Sequence, residues 1–150
     1  MNKFESMCET YKHKQLINKY INLITNKLSE RAINHDNSKL EYPEVDILKE
    51  HNHKLSNTTY NNEEDKKCRQ EMKIALDHHY AKNRHHPEHF PNGIKDMDLI
   101  DLIEMICDWK SSSLRHNDGN ILISIDKNQE RFGYSQELAQ IFKNTVKLFE

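Results

Sequence analysis

Glycine, proline and cysteine are scarce in this 150-residue sequence, at three each. So few turn formers leave little room for many short strands joined by tight turns, and the expected fold class is all-α. The cysteines Cys8, Cys68 and Cys107 stand far apart with no C-x-x-C pair, which argues against a disulfide framework and against a cysteine-rich structural zinc site. No run approaches the ~18 apolar residues of a membrane span, and the opening "MNKFESMCETYKHK" lacks the uninterrupted apolar segment of a signal peptide. The expectation is a soluble, cytoplasmic protein with no membrane partner. Net charge is only −2, and lysines and arginines are scattered among the acids, so duplex nucleic acid is not an expected partner either.

The chain is 35% hydrophobic and 31% charged, too apolar for disorder. Its length predicts one domain over residues 1–150, long enough to bury a single core. Five of its ten histidines fall in residues 78–90, "HHYAKNRHHPEHF".

Apolar periodicity predicts five to seven helices. Over residues 11–31, Leu16, Ile17, Tyr20, Ile21, Ile24 and Leu28 recur at three- and four-residue steps, which marks a buried stripe with His13 projecting from it. The polar stretch "AINHDNSKLEYPE" breaks this period and predicts a tight turn into a second helix, with His35 and Asp36 at the junction. Residues 51–65 are polar and aperiodic and predict a long surface loop carrying His51 and His53. A third helix is expected over 63–82, with His79 on its inner stripe and His78 turned away by about 100°. His85, His86 and His89 would follow in a proline-broken loop. A fourth helix over 97–114 is apolar over most of its circumference, and Asp101, Glu104 and Asp108 form a carboxylate line along it that calls for partners. A short helix over 124–131 should stop at Gly133, and Ser135 should cap a last one with Leu138, Ile141, Phe142, Thr145, Val146 and Phe149 on its apolar face.

His13, the adjacent His35 and Asp36, His79 and Asp108 are thus offered from different helices. Neutral imidazoles and carboxylates are the ligand set for divalent transition metals such as manganese, iron, cobalt, nickel or zinc, with magnesium also admissible, and helices that lend such groups to a bundle core make a sensible cage. Glu104, one turn before Asp108, reads as a hydrogen-bond acceptor for a ligating histidine. His116 and His89 read as surface residues, and Trp109 and Tyr80 as core or pocket wall.

The order of these residues resembles the HD-domain superfamily of metal-dependent phosphohydrolases, all-helical proteins named for an adjacent His-Asp pair. Here the elements are His13, "HDNSK" at 35–39, the pair His78 and His79, and "DW" at 108–109, and the resemblance covers residues 11–113. "HDNSK" is similar to the HDxGK-type signature, with Ser38 in place of glycine. "HHYAKNRHHPEHFPNG" followed by "DLIEMICDW" is similar to the HD-GYP branch, although its glutamate and its GYP tripeptide are absent. The pattern also resembles a small group of HD-like proteins, several of them phage-encoded, that carry HDxSK, N-x-HHPE and EMxCDW.

The resemblance implies that His13, His35, Asp36 and Asp108 hold a first metal. It puts His79 with His85 or His86 where some branches place ligands for a second metal and others place substrate contacts, so one or two ions are expected. It implies that Lys39 lies near a substrate phosphate. Arg84, suited to bidentate contact, could neutralise further phosphate oxygens, and His86 could protonate the leaving oxygen. A divalent ion would lower the pKa of a water toward neutrality and offset charge on phosphoryl oxygens. The expected activity is hydrolysis of a small phosphorylated substrate, a nucleotide being favoured, as a 5'-nucleotidase-like enzyme or phosphodiesterase, and by analogy as a homodimer. Two alternatives stand beside it: an HD-fold di-iron oxygenase, and a non-catalytic nucleotide-binding module.

Overall fold

The computed structural model describes the backbone of residues 3–54, 63–115 and 119–149, with the side chains of 51–54, 63–69 and 71 outside the described set. His116 and the side chains of His51, His53 and Cys68 therefore lie outside it. The all-α expectation holds, with six α-helices and no strand among the described residues. None of these helices is long and apolar enough to cross a membrane.

The chain divides into two compact units, Met1–Asn34 and His35–Glu150. The first is the single helix α1 (Lys3–Asn34), longer at both ends than its apolar period predicts. The expected buried stripe is corrected here, since no residue of α1 is buried and Leu16, Ile17, Tyr20, Ile21 and Ile24 are exposed. A lone helix has no second element within its unit to cover the stripe.

The second unit begins with a 3-10 turn at Asn37–Leu40, followed by α2 (Glu44–Lys54) and α3 (Glu63–Lys82). The loop expected over 51–65 is shorter than its polarity suggested, because α2 continues to Lys54 and α3 starts at Glu63; residues 55–62 lie outside the described set. Polar composition alone did not break these helices, since "HNHK" and "EED" contain neither Gly nor Pro, the residues that interrupt a helix most strongly. Two more 3-10 turns, Pro87–His89 and Gly93–Asp96, carry the chain from α3 to α4 (Leu99–Ser113). His89, expected at the loop surface, is half-buried and its Nδ1 lies 2.8 Å from the Tyr80 carbonyl, so it ties this loop to the last turn of α3.

Asp98 begins α4 with a capping box in which it accepts from the backbone N–H groups of Ile100 and Asp101. The helix is buried on two faces rather than all round: Met105 and Ile106 point into the core, Asp101 is fully buried, and Leu99 and Ile103 are exposed. α5 (Ile121–Phe132) starts on the Asn120 cap and stops at Gly133, whose φ of 65° is left-handed backbone that glycine adopts without a Cβ penalty. α6 (Gln136–Thr145) is capped by Ser135, as its sequence predicts. Its buried face runs through Ala139, Phe142 and then Val146, a line rotated from the predicted one, which leaves Ile141 exposed. Small Ala139 permits the close approach that Ile141 would block.

The core lies where α4, α5 and α6 meet, with Met105, Ile106, Ile125, Tyr134, Ala139, Phe142 and Val146 mutually packed. Trp109 flanks it as an expected wall residue, in contact with Phe132, Tyr134 and Phe142. The buried Tyr134 hydroxyl donates to the Ile125 carbonyl at 2.6 Å. Ile125→Ala should lower unfolding stability in urea by about 2–5 kcal/mol through cavity formation. Tyr134→Phe should lower it by only about 1 kcal/mol, the worth of one neutral hydrogen bond.

Candidate metal centre

The polar side of the second unit assembles where the Asn37–Leu40 turn, the end of α3, the Pro87–His89 turn and the carboxylate face of α4 meet. Asp36 is its pivot. It is the one non-glycine residue with positive φ among the described residues, at 56°, a conformation that aspartate tolerates better than most side chains. Its Oδ2 takes the Lys39 ammonium at 2.6 Å. Its Oδ1 faces His79 Nε2 at 3.4 Å and His85 Nε2 at 3.5 Å. His35 Nε2 stands 3.5 Å from Asp36 Oδ2 and 3.8 Å from Asp108 Oδ1.

The far nitrogens of these rings are held by carboxylates. His35 Nδ1 donates to Glu104 Oε1 at 2.9 Å, and His85 Nδ1 stands 3.1 Å from the same oxygen. His79 Nδ1 donates to Glu44 Oε2 at 2.9 Å. With Nδ1–H committed to a carboxylate, a neutral imidazole turns its Nε2 lone pair the other way, here toward Asp36. The carboxylate line on α4 has thus found its partners, Glu104 in the acceptor role its position suggested.

Three site-building residues escaped the sequence reading. Glu44 is 1% exposed, and its second oxygen Oε1 takes His78 Nδ1 at 2.7 Å. The tandem histidines therefore straddle one carboxylate, and His78 reaches it from the flank despite its unfavourable helical phase. Ser38 and Asn83, both buried, complete the shell: Asn83 Nδ2 donates to Ser38 Oγ and to the His79 carbonyl, each at 2.8 Å. In sequence, Glu44 follows Pro43 and reads as an ordinary first-turn acid, so nothing marks it.

Electrostatics follow from this crowding. The Asp108 and Glu104 carboxylates raise His35 from its ordinary 6.5 to about 10. Burial would raise the carboxyl of Asp36, but Lys39, with His35 and His79, outweighs it and holds the group below its usual range. Asp108 is likewise lowered, burial being outweighed by His35 and His85. Burial, with His85 and His79 alongside, pushes His86 down to about 3. The neutral form of His86 is thereby favoured, and it offers a lone pair to a cation. Its Nε2 lies 2.9 Å from His79 Nε2, two lone-pair positions aimed at one point.

The donor set fits a divalent ion. Donor atoms of Asp36, His79, His85 and His86 lie within 4.8 Å of one another, as do those of His35, Asp36 and Asp108. Asp36 Oδ1 and His85 Nε2 are buried and make no hydrogen bond among the described residues. Buried polar atoms without partners are rare, and two that face each other across 3.5 Å suit a shared cation.

Of the site residues expected from sequence, His35, Asp36, Lys39, His79, His85, His86 and Asp108 are brought together. Arg84 is placed elsewhere: its Nε and Nη2 donate to the two oxygens of Asp101 at 3.1 and 2.8 Å, and its guanidinium lies over the Phe90 ring. A fully buried carboxylate requires a counter-charge, and the arginine nearest to it is consumed. His13 is exposed on α1, in the first unit.

A family model described as "Family of unknown function (DUF5662)" matches residues 2–149. The chain belongs to DUF5662. No curated protein and no solved structure matches it.

The two displaced histidines give this DUF5662 chain a pH signature. Between the ordinary 6.5 and about 10, folded His35 keeps a proton that the unfolded chain loses, so stability falls as pH rises. Between 6.5 and about 3, the unfolded chain binds a proton that folded His86 refuses, so stability falls as pH drops. In chelator, the denaturation midpoint should peak near pH 6.5 and decline on both sides. Saturation with manganese or zinc should abolish the alkaline decline, because ligated His35 has no proton to lose.

Proposed function

We propose that this DUF5662 chain is an HD-type metal-dependent phosphohydrolase acting on a small phosphorylated substrate, with a nucleotide as the favoured class. One observation carries the reading: three imidazoles present Nε2 to the single carboxylate of Asp36, two of them hydrogen-bonded through Nδ1 to Glu104 (His35) and Glu44 (His79), and the third, His85, with Nδ1 3.1 Å from Glu104. That is the carboxylate–histidine–metal pattern, and it coincides with the residues that carry the HD resemblance.

On this reading Asp36, His79, His85 and His86 hold one ion, and His35 and Asp108 share Asp36 in holding a second. Bound there, a divalent ion supplies a water of lowered pKa and offsets charge on phosphoryl oxygens. Lys39 leaves Asp36 for a non-bridging phosphate oxygen; its ammonium is half-exposed and lines a cavity of about 280 Å³ beside His79 and His86. Glu104 and Glu44 hold the imidazoles in one tautomer and keep their rings from turning. Water adds to phosphorus, the ester P–O bond breaks, and the alcohol leaves with a proton from solvent.

The shared Asp36 also favours a second reading, a di-iron site that activates dioxygen. Metal analysis separates the two, since two irons with dioxygen uptake would select the oxygenase.

Purified protein supplied with manganese, cobalt or magnesium should release phosphate from one or more members of a nucleotide panel, and Asp36→Ala should abolish that release. Glu104→Gln should weaken ion affinity about 10–100-fold while leaving the ligands in place. Absence of any phosphate release that needs both the ion and Asp36 would sink the proposal.

A further inference from the structure

We infer that a polar cleft between α4 and α5 reads the organic part of the ligand, and that Asn128, Arg131 and Glu88 are the residues that read it. The word substrate here rests on the phosphohydrolase proposal; the binding itself does not.

Two cavities flank the ring of His86. The first, with Leu48, Met72 and Leu76 in its wall, touches donors of only one ion group, and beside Lys39, which the phosphate itself takes, its carboxylate Glu44 is engaged by His78 and His79. The second, of about 240 Å³, touches a donor from each group, His86 and Asp108. A phosphate seated at those donors would direct its ester substituent into this cleft.

The cleft is equipped for a flat, polar-edged ring. Trp109 and Phe132 lie in its wall with ring planes 7° apart. Asn128 makes no side-chain hydrogen bond among the described residues, so its amide offers a donor pair and an acceptor to an incoming group. Arg131 donates Nη2 to Glu88 Oε1 at 2.6 Å and lays its guanidinium over the Phe132 ring, 4.7 Å from the centroid, which leaves the other edge of its fork to meet a ligand. Glu88 brings a second carboxylate oxygen to the same wall. Donors and acceptors set around aromatic faces match a heterocycle with both kinds of group on its edge. The volume is below the ~300 Å³ of ordinary ligand pockets and suits one such ring system, not an oligomer. Asn128, Arg131 and Phe132 on α5 lie beyond residue 113, outside the stretch that carries the HD resemblance.

Trp109 is the only tryptophan in the chain, so at a fixed, saturating manganese concentration a ligand-dependent change in indole emission arises at this wall of the cleft. The full chain, loaded with manganese, is titrated with adenosine and guanosine 5'-monophosphate, with ribose 5-phosphate as the ringless comparator. At least one nucleotide should quench Trp109 saturably and bind about tenfold more tightly than ribose 5-phosphate. Asn128→Ala and Arg131→Ala should each weaken that nucleotide by about tenfold, the loss expected for one or two hydrogen bonds to a ligand. Arg131→Lys, which keeps the charge without the fork, should fall between. Both side chains sit at the solvent edge of α5, and circular dichroism should register no loss of helix.

Ribose 5-phosphate binding as tightly as the nucleotides, or variants that bind like the parent, would overturn the inference. Nucleotide binding in this pattern without phosphate release would leave the cleft standing and remove the hydrolase reading. Phosphate release with no response at Trp109 or to the substitutions would do the reverse.

Discussion

Two buried carboxylates, each shared by two histidines, are the interaction on which the second unit depends. Glu44 takes His78 and His79 on separate oxygens, and Glu104 takes His35 on Oε1, with His85 Nδ1 3.1 Å from the same oxygen. Each bond set joins segments far apart in sequence: the first turn of α2 to the last turn of α3, and residues 35 and 85 to the middle of α4. Neither glutamate could be buried alone, because an unpaired carboxylate in a low-dielectric interior is strongly disfavoured. The contacts that hold these elements together are therefore the same ones that set the tautomer and direction of the imidazoles. Fold and site are one network, and a change to either glutamate acts on both.

α4 makes this possible by dividing its surface. Met105 and Ile106 face the core with Ile125 and Phe142, while Asp101, Glu104 and Asp108 face the polar side in three successive turns. Each acid has a distinct partner type. Asp101 anchors the loop after α3 through Arg84, Glu104 orients rings, and Asp108 faces His35 Nε2. A helix with only one buried face could not both seat a hydrophobic core and supply this row. The bidentate Arg84 contact fixes the backbone just ahead of His85 and His86, so it acts on the histidines by holding their loop.

Much of this was legible from spacing alone. Helical periodicity located α3 and α6 closely, Gly133 marked the end of α5 and Ser135 the start of α6, and the i, i+3, i+7 acids on α4 announced a need for partners. Histidines and Asp36 could be grouped because their helices and their resemblance agreed. What spacing could not convey was choice among equivalent neighbours. Arg84 and Arg131 are both arginines near the histidine-rich loop, but only the complete burial of Asp101 distinguishes the one it captures with both oxygens from the one that meets Glu88 through a single nitrogen. Glu44 was invisible for the same reason: an acid in a helix first turn is usually solvated, and its complete burial appears only when α2 packs on α3. His13 shows a related limit, since an apolar stripe states that a helix can be covered but not by what.

The charge arrangement also explains why Lys39 fits a phosphate-handling site better than Arg84. Asp36, Glu104 and Asp108 converge on a small volume in which the Lys39 ammonium and the proton held by His35 offset part of their charge. A divalent cation supplies the same charge as those two together, at a position between the carboxylates instead of at their edge. On the proposed function its arrival would displace the His35 proton to solvent and free Lys39 from Asp36, and a freed ammonium at the rim of an open cavity meets an anionic ligand with its charge uncompensated. Arg84 can undergo no such exchange, because withdrawing it would leave Asp101 charged in a fully buried position. The cation that moves is the one whose partner gains a replacement.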